Sequence, residues 1–234
     1  MGKFIKLSLS SALGESSEWW WWEIVGIHVG TFGPQAAATH AIGYTLVPLL
    51  IMIPNSLGIC LCNVIGRQLG AGDIKAAKQT AVIMVSTGTV LAIAYSTAVF
   101  IFGRRIGMFF TNAEDVLEQR ESIWPWVSLF LVVDALFGML AGLNRSLGIQ
   151  ARSAVCVWVC LWLIGTPLIF MFASDLDLTW RIVPGIYSFF VLALLSCSLF
   201  ANWHHLAASA KSNSDKQKLW DGSHSTLDDA LLAS

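Results

Sequence analysis

Three carboxylates stand where apolar helices should cross a membrane. Glu18 and Glu23 bracket four consecutive tryptophans in the stretch SEWWWWEIVG, and Asp134 is the only charge between Glu121 and Arg145. A charged acid at mid-membrane costs about 2.5–3.5 kcal/mol on insertion scales, so such residues face a bundle interior or a wet cavity and read as functional. No Lys or Arg lies deep enough in any expected span to neutralise them. Water-poor surroundings disfavour the charged form of a carboxyl group. An unpaired acid there can hold a proton and give it up when water or a cation arrives, which is the chemistry of a proton-coupled cation exchanger.

Geometry on the helix separates the acids. Glu18 lies twelve residues beyond Lys6, about 18 Å along a helix, which is near mid-membrane. At about 100° per residue, Glu15, Glu18 and Trp22 fall on one side, while Glu23 is about 140° from Glu18. One of the two central acids can line a cavity while the other meets a neighbouring helix. Trp22 projects near Glu18, where it can stack on a cationic ligand or simply pack. His28, towards the far end, reads either as a proton relay or as an interfacial packing residue.

The elements that must hold these acids are membrane helices. The chain has 234 residues, 56% hydrophobic and 12% charged, with a mean hydropathy of +0.66. Soluble domains carry about 25% charged residues. The apolar runs suit helices, not barrel strands. Six spans are expected, at about 5–31, 37–63, 76–103, 119–143, 150–173 and 181–203, each long enough for about 30 Å of hydrocarbon. The breaks carry turn signals at Gly33-Pro34, Leu69-Gly70-Ala71-Gly72-Asp73, Arg104 to Glu118, Arg145-Ser146-Leu147-Gly148 and Ser174-Asp175-Leu176-Asp177. Gly103 to Glu121 reads as an interfacial turn.

Basic residues set the orientation. Lys3, Lys6, Arg67, Lys75, Lys78, Arg145, Arg152, Lys211, Lys216 and Lys218 fall on one side, and Arg104, Arg105, Arg120 and Arg181 on the other. The excess puts both termini in the cytoplasm. Residues 1–205 are read as the six-helix unit and 206–234 as a polar cytoplasmic tail, disordered from about Ser209.

The net charge of −1 gives no case for nucleic-acid binding. Cys60, Cys62, Cys156, Cys160 and Cys197 all lie in apolar runs and read as small packing residues, their odd number arguing against a disulfide framework. Glu15, Glu18 and Glu23 exclude a signal-peptide core from the first segment. No nucleophile–base pair and no metal-ligand spacing falls within a span, so neither an enzyme nor a metal site is expected, and no cofactor beyond a coupling ion.

The sequence EWWWWEI resembles the E-W-W-x-x-E signature that opens the second half of eukaryotic multidrug and toxic compound extrusion (MATE) transporters. The likeness continues in order. Ile53-Pro54 starts a helix half, and GRQLGAGD with Lys75-Ala76-Ala77-Lys78 resembles the family's G-N-x-L-G-A-G loop. Asp134-Ala135-Leu136 and then LAGLNRSLGIQ resemble the acid of the fourth span and its L-R-G-x-G-x-Q exit, and Gly165-Thr166-Pro167 resembles the next helix's G-x-P. The resemblance covers about residues 3–205. There are departures. Asp134 stands where animal members usually have Glu, Arg67 where the loop has Asn, and Val64 where it has Arg. Family members have two six-helix lobes, and this chain resembles the second alone.

The resemblance implies an all-α integral membrane fold, a six-transmembrane-helix bundle like one MATE lobe. It also implies antiport that exports organic cations in exchange for protons, rather than for sodium. Glu18, Glu23 and Asp134, with Trp22, would bind substrate and proton. Arg67, Gly70, Gly72, Arg145 and Gln150 would form the loop motifs of the conformational change. The expected partners are a small organic cation, the lipid bilayer, and a second six-helix lobe or a second copy of the chain. A non-transporting regulatory membrane protein and a lipid-flippase-like relative are the alternatives. Plasma and vacuolar-type membranes are not distinguished by the sequence.

Overall fold

The computed structural model describes residues 2–212 and Asp215, with the backbone alone at 2–4, 6, 7, 10, 11 and 15. The chain is helical from end to end of that range: α1 (Gly2–Gly30), α2 (Pro34–Gly70), α3 (Ile74–Ile101), a short α4 (Gly103–Phe110), α5 (Glu114–Ser146), α6 (Gln150–Val157), a π-helical stretch (Trp158–Gly165), α7 (Thr166–Phe172) and α8 (Leu176–Leu199). Five helical segments among the described residues are long and apolar enough to cross a membrane: α2, α3, α5, α6 through α7, and α8. The 29-residue α1 has the length, but its acids and tryptophans lower its apolarity. The protein is a multi-pass, all-helical membrane bundle.

Helix ends follow local chemistry. Gly33 adopts φ 111°, and Pro34 then starts α2 with a pre-set φ. α2 runs for 37 residues through Pro48 and Pro54, about 55 Å, and so overshoots the hydrocarbon layer. Asp73 caps α3 by accepting from the Ala76 N–H at 2.9 Å, and Asp175 caps α8 by accepting from the Leu178 N–H at 2.8 Å. The turns after α2 and α5 are built alike. At each, a glycine with positive φ (Gly72, 83°; Gly148, 70°) accompanies the hydrogen bonds of a Schellman motif, Asp73 N to Gln68 O and Ile149 N to Asn144 O. Gly72→Val should therefore lower stability by about 1–2 kcal/mol, because a side chain with Cβ resists that backbone region. Chemical denaturation in detergent reads this.

The fifth segment is not one α-helix, as its apolar run suggests. Pro167 carries no N–H, and the chain shifts to π-type spacing over Trp158–Gly165 before α7 resumes. The shift brings Trp162 Nε1 to within 2.7 Å of Ser17 Oγ on α1, next to Glu18.

α5 is the central helix, packed against α2, α8 and α3. Its crossing with α2 is made of glycines. A Cβ on Gly58 would lie 2.6 Å from the Gly138 carbonyl oxygen, and one on Gly142 would fall onto the Gly58 backbone. Gly138 and Gly142 thus form a G-x-x-x-G face that lets two backbones touch.

The segment Gly103–Glu121, read as an interfacial turn, contains the eight-residue α4. Its Gly107 lies over the buried Arg120, whose guanidinium stacks 4.4 Å from the Trp124 ring, while Phe109 points outward. Residues 203–212 are helical and seat Trp203 and Ala207 on the core. Helix therefore continues past Ser209 into the expected disordered tail, because those two apolar residues give it something to pack on. The rest of that tail, Asp215 apart, lies outside the described residues.

Candidate functional site

Glu18 of α1 and Asp134 of α5 line one cleft, together with Trp19, Trp22, Tyr44, Pro48, Ile51, Asn55, Phe137, Gly138, Ala141 and Arg145. Both acids are buried, at 9% and 2% exposure. The Tyr187 hydroxyl of α8 donates to Glu18 Oε1 at 2.9 Å, and the Trp22 indole N–H donates to the Tyr187 oxygen at 2.9 Å. Side chains from two helices, α1 and α8, therefore fix the Glu18 side chain. Neither oxygen of Asp134 has a hydrogen-bond partner among the described residues. A buried, unpaired carboxylate is expensive, so a proton or a cation must neutralise it.

The cleft encloses about 40 Å³. One buried water needs roughly 10–15 Å³ on that measure, whereas pockets for drug-sized ligands run to about 300–1,000 Å³. In this conformation the cleft has room for a few waters and none for a drug-sized molecule. Pro48 lies in its wall, on a helix that proline has deprived of a backbone hydrogen bond.

The other sequence-selected residues fall elsewhere. Glu23 is exposed, on the same face of α1 as Trp20 and Ile27, which are 53% and 70% exposed. It does not line the cleft. Trp22 touches the cleft, but Tyr44, Phe130, Trp180 and Tyr187 surround its ring with centroids 5.2–6.1 Å away, leaving it 5% exposed. Its faces are taken, so it braces Tyr187 and Glu18 in this conformation. The side chain of Glu15 lies outside those described. His28 Nε2 meets the Ala173 carbonyl oxygen at 3.2 Å, and its ring packs 4.5 Å from Phe170.

Arg67, Gly70 and Gly72 form the end of α2 and its turn, with Arg67 exposed. Gln150 opens α6, its Oε1 buried without a partner among the described residues. Arg145 is also exposed, but it lines the mouth of the acidic cleft, eleven residues and about 16 Å along α5 from Asp134. It is the one base that reaches the acids' cavity among the described residues lining it.

Tyr187 and Asn55 were not singled out in the sequence. A lone Tyr or Asn in an apolar run carries no spacing signal, and only the packing of α8 and α2 on α1 and α5 shows their place. Tyr187→Phe should cost about 1.5–3 kcal/mol for the bond donated to the Glu18 carboxylate and about 0.5–1.5 kcal/mol for the one accepted from Trp22, read by thermal unfolding in detergent.

The MatE family model matches residues 11–171. The chain is 31% identical to the rabbit (Oryctolagus cuniculus) "Multidrug and toxin extrusion protein 2" over 71% of this chain and 28% of that protein. It is 29% identical to the protein of the same name from Homo sapiens, over 93% of this chain and 37% of that protein. To "Protein DETOXIFICATION 8" of Arabidopsis thaliana it is 26% identical, over 90% of this chain and 45% of that one. Its fold superposes on the crystal structure of the eukaryotic MATE transporter AtDTX14 with a TM-score of 0.81 and 26% identity, covering 92% of this chain and 49% of that chain. An outward-facing MATE family transporter of the MOP superfamily shares the fold at a TM-score of 0.74 and 17% identity. The chain thus spans less than half the length of each of these proteins.

Proposed function

The chain belongs to the MatE family, and on that premise we propose that it is one lobe of a proton-coupled exporter of organic cations. The observation that carries this reading is the meeting of Glu18 and Asp134, from two helices, in one small buried cleft. Two carboxylates so placed repel one another when both are charged. A proton relieves that repulsion, and so does a cation. Each displaces the other, and this is the coupling that exchange needs. Tyr187 holds Glu18 in place through its donated hydrogen bond, while Asp134, without such a tether among the described residues, is the freer proton carrier.

Glu23 supports a second part of the reading. A carboxylate on an exposed, otherwise apolar helix face is not left against lipid tails. That face of α1, with Trp20 and Ile27, is the side on which a second six-helix lobe or a second copy would complete a path for the organic cation. Rocking of two such bundles gives alternating access. Both termini lie in the cytoplasm in this reading, from the excess of basic residues on the side of the α2–α3 turn, and the proton rather than sodium is the coupling ion.

The test is uptake of a fluorescent organic cation into vesicles carrying the chain, with an imposed pH gradient. Gradient-driven uptake above that of empty vesicles supports the exporter. Its absence at high expression, with or without a co-expressed second lobe, counts against it.

A further inference from the structure

Away from the acidic cleft, α3, α5 and α8 leave a second groove, of about 390 Å³, at the end of the bundle that carries the α2–α3 turn. Val82, Val85, Leu143 and Leu199 are among its walls. Val82 and Leu199 are 67% and 69% exposed, so the groove opens sideways, towards the hydrocarbon. Its polar end is formed by Lys78 and Trp203, with the Lys78 Nζ 5.7 Å from the Trp203 ring centroid. No acid lines the groove, and among the described residues no ion pair ties up Lys78. The stem of Lys211, from the helix over residues 203–212, lies against Gly72 at the same end.

We propose that this groove seats one anionic glycerophospholipid of the bilayer. The apolar walls take an acyl chain, and Lys78 takes the phosphate. Trp203 is an amphipathic ring of the kind that settles at the headgroup level, and a basic residue between membrane helices at that level attracts acidic headgroups. A zwitterionic lipid would fill the same walls but would bring its own cation against Lys78. The export substrate does not compete for the groove, since neither Glu18 nor Asp134 borders it. The site needs only that the bundle sits in a membrane, so it stands apart from the exchange reading above.

The test uses the full chain in nanodiscs of phosphatidylcholine, with a minor fraction of either brominated phosphatidylserine or brominated phosphatidylcholine. Bromine quenches indole emission at contact. The difference between the wild type and Trp203→Phe isolates the signal of Trp203. Brominated phosphatidylserine should quench Trp203 about fivefold more effectively than the choline lipid, the weight of one basic residue facing an anionic headgroup. Lys78→Gln should remove that preference. Equal quenching by both lipids in the wild type, or a preference that survives in Lys78→Gln, overturns the proposal. Mass spectrometry of the lipids that co-purify from a serine/choline mixture gives a readout independent of the tryptophan variant. Enrichment of the serine lipid in the wild type but not in Lys78→Gln supports the site, and identical lipid ratios in the two refute it.

Discussion

Asp134→Asn is expected to abolish proton release on cation binding while leaving the bundle folded. The side chain is 2% exposed and makes no hydrogen bond among the described residues, so the substitution breaks none there. Asn matches Asp in size and carries no charge, and removing an unpaired buried charge relieves a penalty instead of adding one. Thermal unfolding in detergent should therefore shift little or upward. Exchange should fall to background, because Asn cannot gain or lose the proton. The measurement adds an organic cation to detergent-solubilised chain in weak buffer and follows proton release with a pH dye. Glu18→Gln should cut release as well, but with some loss of stability, since a hydrogen bond to a charged group contributes about 1.5–3 kcal/mol and the Tyr187 donor would lose its charged partner. Unchanged proton release in Asp134→Asn would make that acid a structural residue.

Gly142→Val is expected to have the largest effect on folding. Gly142 lies directly on the Gly58 backbone, and no rotation of a flexible side chain can make room there. A β-branched residue must push α2 and α5 apart. Overpacking a core typically costs about 1–3 kcal/mol, and here the separation also loosens the packing that brings the α1 and α5 acids into one cleft. The variant should unfold at a lower temperature, and its proton release should fall together with its folded fraction. Gly66→Val, at a glycine on α2 where a Cβ meets nothing within 4 Å, is the control and should leave both near wild type.

The all-helical class and the long membrane segments were legible because apolar runs of membrane length, broken by glycine, proline and short polar turns, leave few alternatives. The acids stood out because charge at membrane depth is rare, and the 140° between Glu18 and Glu23 already separates them on the helix. The structure has Glu18 buried and Glu23 exposed. Other features were hidden in pairings between distant segments. Tyr187 bonds Glu18 across 169 residues, and Trp162 bonds Ser17 across 145. The second contact depends on a π-helical register that hydropathy does not report. The G-x-x-x-G of Gly138 and Gly142 was readable as a motif, but its partner Gly58 lies on another helix. The full packing around Trp22, which makes it a brace in this conformation, likewise follows from six neighbouring rings on α1, α2, α5 and α8.

Reconstituted chain, examined by infrared difference spectroscopy between acidic and alkaline buffer, addresses the buried acids most directly. Exchange by Glu18 and Asp134 requires carboxyl C=O stretching bands that appear on acidification, vanish on alkalinisation, and respond to an added organic cation. One of these bands should be missing in Asp134→Asn and another in Glu18→Gln. Spectra in which neither substitution removes a pH-dependent band would mean that both acids keep one ionic form throughout, and proton-for-cation exchange in this cleft would be contradicted.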